Sequence, residues 1–279
     1  MTRIMKNHIV RRTTLYIVLL FGALMAMFPF YWMVSSALKP SYYILAFPPV
    51  IIPPRLSLEH FEFVFETMNV YRALLNSLVV AVSQVSLNLF FSSLMAYALA
   101  KLKFPGRNAL FVIVLAFMMI PFQLMIVPLF LTVNSMGLIG TFPAIILPGT
   151  VSSFSIFLLR QAMLSVPNDY VEAALIDGGN HFYICFRIVM PMIVPLMMTV
   201  IITNFMWTWN DFLWPMMVTV GNDDMSTIQV ALNRYRSLNE VRWGPIMAAC
   251  TIAALPIATV YMILQKQFIE SVATSGIKG

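Results

Sequence analysis

Residues 167–195 form the stretch whose residue types and spacing point most directly to a defined interaction. Asn168 can begin a short helix and Gly178 can end it. At about 1.5 Å per residue, that helix extends only about 13 Å, which is too short to cross a bilayer. Val171 and Leu175 lie one turn apart, and the alanines between them leave a smooth surface. This pattern fits a helix that docks in a groove of another protein and equally a helix packed against its own bundle, so both interpretations stay open at this point.

A second group of candidates consists of polar side chains inside long apolar runs, where they are costly and therefore informative. Aromatic walls with a few well-placed polar groups are typical of small-molecule sites and suit a sugar. A hydrogen-bonded packing cluster with tryptophan at the membrane surface has the same pattern, so both interpretations stay open. The candidates for a solute pathway are Asn204, Trp209, Asn210, Asp211, Gln84 and Asn88.

The sequence argues against several other kinds of chemistry. No GxxxxGK[ST] pattern occurs, so the chain lacks the loop that cradles nucleotide phosphates, and any ATP chemistry must come from another chain. Cys185 and Cys250 lie far apart in different contexts, and we interpret both as structural thiols. The basic residues are scattered at the edges of apolar runs, which argues against nucleic-acid binding. We therefore expect no catalytic residue, no metal site and no cofactor bound by this chain.

The elements that must position these residues are long apolar helices. Of the 279 residues, 60% are hydrophobic and only 10% are charged, so one water-soluble core cannot enclose most of the apolar side chains. A helix needs about 20 mainly apolar residues to cross the hydrocarbon layer. The sequence thus predicts an all-α integral membrane protein with six transmembrane helices. The six stretches of sufficient length lie at about 14–36, 73–99, 108–132, 142–161, 189–219 and 245–268.

Charges on the connecting segments predict how these spans are oriented. Eleven of the seventeen Lys and Arg residues fall on one side, which the positive-inside rule assigns to the cytoplasm. Residues 1–13 and 269–279 would then be cytoplasmic tails around a transmembrane domain at 14–268. The short helix at about 169–177 would lie on the cytoplasmic face, between the fourth and fifth spans.

Two segments on the predicted outer side are more than short tethers. From Ser57 to Met68, apolar residues recur at helical spacing opposite three glutamates, which predicts a helix on the outer surface. The polar loop 221–244 carries both charge signs, and it either meets a soluble partner or is a solvated connector. Four prolines of the third and fifth spans are expected to bend their helices: Pro121, Pro128, Pro191 and Pro195.

The segment EAALIDGG followed by FRIVMPMIVP resembles the EAA motif, EAA-x3-G-x9-I-x-LP, of binding-protein-dependent ABC importer permeases. Two departures are minor, with Met190 where Leu is usual and Gly179 where Ala is usual. The matching positions are Glu172, Ala173, Ala174, Gly178, Ile188 and Pro191.

Further segments extend the resemblance over most of the chain, to the carbohydrate subfamily that includes the maltose-type second permease. Each segment alone is a weak apolar pattern, but their order and spacing together are highly specific. They are FPFYWMVSSALKP at 28–40, AYALAKLKFPGRNALF at 96–111, MIPFQLMIVPLF at 119–130, WNDFLWP at 209–215 and the terminal GIKG.

The resemblance implies a function and a set of partners. The chain would form half of the translocation pathway for a sugar or oligosaccharide, in a heterodimer with a second permease. Two copies of a cytoplasmic ATPase subunit would use ATP and Mg, and an extracytoplasmic solute-binding protein would deliver the sugar. The location would be the bacterial inner membrane, with both termini cytoplasmic and the terminal SGIKG either reaching the ATPase or disordered. The coupling helix that receives ATPase motion would comprise Tyr170, Val171, Glu172, Ala173, Ala174, Leu175, Asp177 and Gly178.

Other functions fit the residues less well. An ABC permease for an anionic solute such as glycerol phosphate would call for Arg or Lys in the middle of a span, and none occurs there. An ion-coupled secondary transporter would need paired ionisable groups in the membrane, whereas Asp211 is the one acid within a predicted span. A membrane protein without a transport role would not co-purify with an ATPase. The sequence therefore favours the importer and a neutral solute.

Overall fold

The computed structural model describes the backbone of residues 2–238 and 242–276, and the side chains of residues 11–233 and 242–266. Every regular element within these ranges is helical, which confirms the all-α prediction for the part of the chain that is described. The α-helices are α1 Thr2–Ala37, α2 Ser41–Ile44, α3 Glu59–Thr67, α4 Val70–Lys101, α5 Arg107–Met118, α6 Phe122–Ser135, α7 Phe142–Ile146, α8 Ser153–Ser165, α9 Asn168–Ile176, α10 His181–Ile184, α11 Met190–Met192, α12 Val194–Asn210, α13 Leu213–Val218, α14 Ile228–Leu238 and α15 Trp243–Gly276.

Three helices are long and apolar enough to cross a membrane unbroken, at Arg11–Ala37, Val70–Lys101 and Trp243–Lys266. Three further candidates are helix pairs with a sharp bend, so the described chain has between three and six candidate spans. The pairs are Arg107–Met118 with Phe122–Ser135 at 100°, Phe142–Gly149 with Ser153–Ser165 at 43°, and His181–Met192 with Val194–Asn210 at 92°.

Proline explains where two of the bends lie. Pro121 directly precedes α6 in an extended conformation, because a proline cannot continue the helix from α5. Pro191 and Pro195 flank Ile193, the residue between α11 and α12. Pro128 differs, since it lies inside α6 without interrupting it. Three of the four expected bends therefore coincide with a break in a helix.

One of the two compact units lies within Met1–Val70 and Arg234–Ala254. In this unit, a loop folds back between α1 and α3: the hydroxyl of Ser35 donates to the carbonyl of Ile51 at 2.9 Å. His60 Nε2 lies 2.9 Å from the carbonyl oxygen of Lys39, and its ring packs against Gly244. These contacts join α1, α3 and the start of α15.

Helix α3 lies inside the segment from Ser57 to Met68 that the sequence predicts to be helical. The hydroxyl of Ser57 accepts the backbone amide of Glu59 at 3.3 Å, although the helix itself begins at Glu59. The predicted loop 221–244 differs from the structure. It contains the whole of α14, and it buries Ile228 and Val230, because VALNRYRSL has its apolar residues at helical spacing.

The other unit lies within Tyr71–Asn233 and Leu255–Gly279. An apolar core lies where the end of α4, helix α8 and the segment from α9 to α12 pack together. The residues buried there include Ala96, Tyr97, Leu159, Met163, Val171, Ile184, Cys185 and Val189. Both the candidate coupling helix and the residues of the cavity described below belong to this unit.

Candidate coupling surface and solute cavity

Helix α9 is a separate two-turn helix, and its ends follow from local sequence. It begins at Asn168 after Pro167, with Asp169 in the first turn, where a negative charge interacts favourably with the helix dipole. The amide of Gly178 donates to Leu175 O at 3.1 Å, and the amide of Gly179 donates to Ala174 O at 2.8 Å. This pair of bonds is a Schellman motif.

The two glycines after α9 serve different needs. Gly178 has φ +85°, a left-handed conformation that favours glycine, while its own surroundings leave open space for a side chain. A Cβ at Gly179 would instead lie 2.8 Å from the carbonyl oxygen of Ala174. Glycine therefore fits at 179, where the family pattern usually has Ala.

The exposed face of α9 differs in part from the predicted docking stripe. Val171 is only 6% exposed because it packs into the core of its own unit, so it does not lie on the accessible face with Leu175. Ile176, which lies outside the predicted docking stripe, is 86% exposed. Ala174 is half-buried. The predicted coupling residues that are exposed are Tyr170, Glu172, Ala173, Leu175, Asp177 and Gly178.

Two contacts from the end of α4 hold the region around α9, and no motif in the sequence predicts them. The ammonium of Lys101 donates to Asn168 Oδ1 at 2.9 Å and also to the carbonyl of Val166. The hydroxyl of Tyr97 lies 3.1 Å from Nδ1 of His181, the first residue after the turn that follows α9. The partners are 65 to 84 residues apart, so no local pattern could have revealed them.

A cavity of ≈ 1120 Å³ lies in the same unit, formed by α4, the α5–α6 bend, the α7–α8 bend, α12 and α15. Its polar groups are amides, hydroxyls and one carboxylate, and its walls include several aromatic rings. The volume exceeds the range of about 300–1,000 Å³ that is typical of small-molecule pockets. The polar and aromatic lining residues are Gln84, Phe117, Phe122, Gln123, Ser152, Ser153, Phe154, Thr203, Asn204, Trp207, Thr208, Asn210, Asp211, Trp214 and Tyr261.

Four of the six predicted pathway residues line this cavity: Gln84, Asn204, Asn210 and Asp211. Asn204 is nonetheless buried, and its amide donates to Ser155 Oγ at 3.0 Å and to the carbonyl of Val200 at 2.8 Å. Its bonds hold helices α8 and α12 together at the cavity wall.

The other two predicted pathway residues, Trp209 and Asn88, lie outside the lining. Trp209 is 2% exposed and stacks on Phe205, with 5.6 Å between ring centroids. The amide of Asn88 donates to the carbonyl of Gly149 at 3.1 Å and is buried. Both positions therefore have packing contacts within the unit, and neither side chain reaches the cavity.

Trp207 lies at the cavity wall, although Trp209 was the tryptophan selected from the sequence. It is 56% exposed and contacts Phe154 of α8, with ring centroids 5.4 Å apart. Trp207 and Trp209 are two residues apart, so they lie about 200° apart around α12. The sequence reveals that one must face away from the other, but not which one faces the cavity.

The cavity has little charge. Asp211 is the one charged side chain among the described lining residues. It directly follows α12, and its Oδ1 lies 3.5 Å from the backbone amide of Trp214 at the start of α13. The described walls therefore offer no cation that would pair with an anionic solute.

Comparison with known families gives a match over residues 88–273 to the "Binding-protein-dependent transport system inner membrane component" model. The chain belongs to this permease family. The match includes α9, the cavity residues of α8 and α12, and most of α15.

Curated relatives resemble the permease over almost its whole length. The arabinooligosaccharides transport system permease protein AraQ of Bacillus subtilis (strain 168) is 34% identical over 95% of both chains. The diacetylchitobiose uptake system permease protein NgcG of Streptomyces coelicolor is 31% identical, covering 91% of this chain and 85% of the relative. The lactose transport system permease protein LacG of Rhizobium radiobacter is 30% identical, covering 93% and 94%.

A solved structure has a similar fold. It is a crystal structure of a bacterial ABC transporter involved in the import of the acidic polysaccharide alginate. One of its chains aligns with the permease with a TM-score of 0.82 and 22% identity, over 93% of this chain and 96% of that chain. At this level of identity, the likeness concerns the fold of the permease.

Proposed function

We propose that the permease forms one half of the membrane pathway of an ATP-driven importer for a neutral sugar or oligosaccharide. The observation that carries this proposal is the ≈ 1120 Å³ cavity, which has amide, hydroxyl and aromatic groups and no Lys or Arg among its described lining residues. A neutral, hydroxyl-rich solute can exchange hydrogen bonds with amides and hydroxyls, and its apolar faces can contact aromatic rings.

Relatives named for sugars support this class of substrate. Their names specify arabinooligosaccharides, diacetylchitobiose and lactose, and another relative from Bacillus subtilis, at 28% identity, is named for polygalacturonan and rhamnogalacturonan. The last name denotes an acidic saccharide, which would call for cations along the pathway. Because the described cavity lining has no cation, it favours the neutral saccharides among these substrates over the acidic one.

ATP energy would enter through α9. The exposed residues of α9 include apolar side chains, above all Ile176, which two turns of helix can present to a groove of an ATPase subunit. The ATPase can shift the permease between conformations only by contacting them differently, so a rigid and separately capped helix suits this role. Glu172, at the exposed EAA segment, would add a charge at the contact.

The complete importer would contain a second permease, two copies of an ATPase subunit and an extracytoplasmic solute-binding protein. In this arrangement, each bent helix pair counts as one span, which makes six, and both termini are cytoplasmic. The excess of Lys and Arg on the α9 side supports this orientation. ATP and Mg would be used by the ATPase subunits.

Transport by reconstituted vesicles tests the proposal. Proteoliposomes would contain this permease with the second permease and ATPase of its own transport system, and the solute-binding protein would be added on the outer side. Arabinotriose, diacetylchitobiose and lactose serve as neutral probes, and digalacturonate and glycerol 3-phosphate serve as anionic probes. We expect ATP-dependent uptake of a neutral probe. Uptake of anionic probes alone, or uptake driven by an ion gradient without ATP, would contradict the proposal.

A further inference from the structure

We infer that α4 is a rigid connection between the coupling helix α9 and the cavity, with Lys101 and Tyr97 as the positioning residues that fasten it to both ends of α9. This inference rests on the proposed function, because it concerns how motion received at α9 reaches the solute pathway. It adds a second element to the coupling machinery, outside the EAA segment.

Lys101 fastens the beginning of α9. Its ammonium bonds the carbonyl of Val166, the residue that ends α8, and the side-chain oxygen of Asn168, the first residue of α9. One cation thus bridges the two residues that flank Pro167. A charge-assisted hydrogen bond is roughly twice as strong as a neutral one, so this is the strongest described link between α4 and the start of α9.

Tyr97 fastens the chain directly after α9. Its side chain is 3% exposed, its hydroxyl lies 3.1 Å from Nδ1 of His181, and the two rings are 6.0 Å apart. His181 is the first residue of α10, three positions after Gly178. Because Tyr97 and Lys101 are four residues apart, they lie on one face of α4. That face therefore holds the chain on both sides of α9.

One turn earlier on the same face, α4 makes a third contact with the segment after α9. The thiol of Cys185, which is buried, lies 3.9 Å from the carbonyl oxygen of Ser93. This weak contact continues the line of Lys101 and Tyr97 along α4. The last three turns of α4 are thus attached to residues from both sides of α9.

The same helix reaches the cavity. Gln84 lines the cavity and packs directly against Gly149, and the amide of Asn88 donates to the carbonyl of Gly149. Gly149 ends the short turn that joins α7 to α8, at the bend of 43°. About 25 Å of helix separates Gln84 from Lys101.

Contacts at the other end of α4 fix a third segment. The amide of Asn76 donates to Asp224 O at 2.7 Å and to Ser226 O at 3.0 Å, and Ser77 Oγ accepts the amide of Ile228 at 2.8 Å. Helix α4 has 32 residues, a length of about 48 Å, and contains neither Pro nor Gly. It is therefore suited to move as one body, whereas the three bent pairs can change angle at their breaks.

The test separates ATP hydrolysis from the response of the cavity. A cysteine placed at Ser153, which is half-exposed in the cavity lining, would report accessibility by its rate of maleimide labelling, in a background where Cys250 is replaced by Ala and the fully buried Cys185 is kept. The complete transporter would be labelled with ADP and with a non-hydrolysable ATP analogue. Coupling between sites typically changes an equilibrium about 5- to 150-fold, and we expect the nucleotide to change the wild-type labelling rate within that range.

Three variants probe the contacts that Lys101 and Tyr97 make around α9, and a fourth variant serves as control. Lys101→Met and Tyr97→Phe each remove one link, Lys101→Arg keeps the cation, and Lys103→Met removes a neighbouring exposed cation. We expect Lys101→Met and Tyr97→Phe to keep ATPase co-purification and ATP hydrolysis, but to reduce the nucleotide response of the cavity to less than about 2-fold. Lys101→Arg and Lys103→Met should keep the wild-type response.

A nucleotide response equal to wild type in both Lys101→Met and Tyr97→Phe would overturn the inference. The inference would also be overturned if Lys103→Met reduced the nucleotide response as much as Lys101→Met does. If the Lys101→Met permease does not assemble with its partner subunits, the nucleotide response of Tyr97→Phe alone decides: a response equal to wild type overturns the inference. Failure of the proposed function has a different signature. In that case, the unmodified cavity would show no nucleotide response, and Gly178→Asp would leave ATPase co-purification unchanged.

Discussion

The proposed coupling region around α9 and the candidate solute cavity are built in opposite ways. Helix α9 and its two caps occupy a dozen consecutive residues, and most of its candidate contact residues are exposed. The cavity instead gathers residues from Gln84 to Tyr261, on five separate parts of the chain. A contiguous surface can be identified from a motif, whereas an assembled cavity depends on how each helix is rotated.

Polar groups also differ between the two regions. In the cavity wall, the amide groups of Asn204 and Asn210 already bond carbonyls of their own helix, at 2.8 Å in each case. On α9 and at its C-terminal cap, Glu172 and Asp177 are exposed at the surface. A polar residue in a span is therefore no direct measure of solute binding, since the helix backbone competes for its hydrogen bonds.

The largest expected effect contrasts two tryptophans of α12. Trp209→Ala removes a buried ring that stacks on Phe205, and replacement of a buried aromatic ring costs about 3–5 kcal/mol in the free energy of unfolding. Trp207→Ala removes an exposed ring at the cavity and should lower sugar uptake with a much smaller loss of stability. The measurement is the apparent melting temperature of the detergent-solubilised permease. Similar melting temperatures for the two variants would contradict the assignment of Trp209 to the core.

The next effect concerns the end of α9. Gly178→Asp forces a side chain into a left-handed conformation, at a cost of roughly 1–2 kcal/mol, and adds a charge at the proposed ATPase contact. We expect the inserted protein to lose at least about 10-fold in ATPase co-purification, since about 1.4 kcal/mol corresponds to tenfold. Glu172→Lys should act in the same direction by reversing a charge.

Two controls make this result specific. Gly106→Asp introduces the same change at another left-handed glycine, φ +80°, at the start of α5. Gly178→Ala carries the backbone strain without the charge. Normal ATPase co-purification and normal transport in both Gly178→Asp and Glu172→Lys would contradict the coupling role of α9.

A smaller effect is expected in the cavity. Asn210 is exposed in the lining, and Asn210→Leu removes its polar groups from the path of the solute. Loss of one hydrogen bond worth about 1 kcal/mol should lower the rate of sugar uptake about 5-fold. Thr259→Val is the matched control, because Thr259 is exposed and bonds Leu255 O of its own helix, but it does not line the cavity. Equal rates of sugar uptake in the two variants would contradict a contact between Asn210 and the solute.

The smallest effect lies outside both regions, in the first unit. The backbone amide of Ser41 donates to the carboxylate of Glu59 at 2.9 Å, and the Ser41 hydroxyl donates to it at 3.0 Å. These bonds, the backbone one most, lower the pKa of Glu59 below its usual value of about 4.3. A carboxylate whose folded pKa is lowered stabilises the fold above its unfolded pKa. This stabilisation is lost as the pH falls through the lower, folded pKa. Melting temperatures from about pH 6 to about pH 3 should therefore fall less steeply in Glu59→Gln than in wild type.

Glu62→Gln is the control for the loss of one negative charge, since Glu62 is an exposed glutamate on the same helix. Identical pH profiles for wild type and Glu59→Gln would contradict the role given to the Ser41 contact. Because the carboxylate is half-exposed, the change should be small.

Local features of the permease were accessible from the sequence. The short helix expected at about 169–177 corresponds in position to α9, because its beginning and end depend on Pro167 and Gly178 alone. Three predicted spans coincide with long helices, and Pro121 marks a break. The fifth predicted stretch, 189–219, is not one helix, since the chain breaks at Ile193, α12 ends at Asn210 and the chain turns at Asp211 before α13.

Local patterns in the chain were enough to identify the all-helical class, the family and the position of α9, because hydropathy, caps and motifs act over a few turns of chain. Three other features became visible only in the folded chain: Val171 is buried, Trp207 rather than Trp209 faces the cavity, and Lys101 and Tyr97 hold the chain around α9. These outcomes depend on the rotation of each helix and on partners many residues away. In an apolar sequence, hydropathy is nearly the same on all sides of a helix, so it cannot specify that rotation.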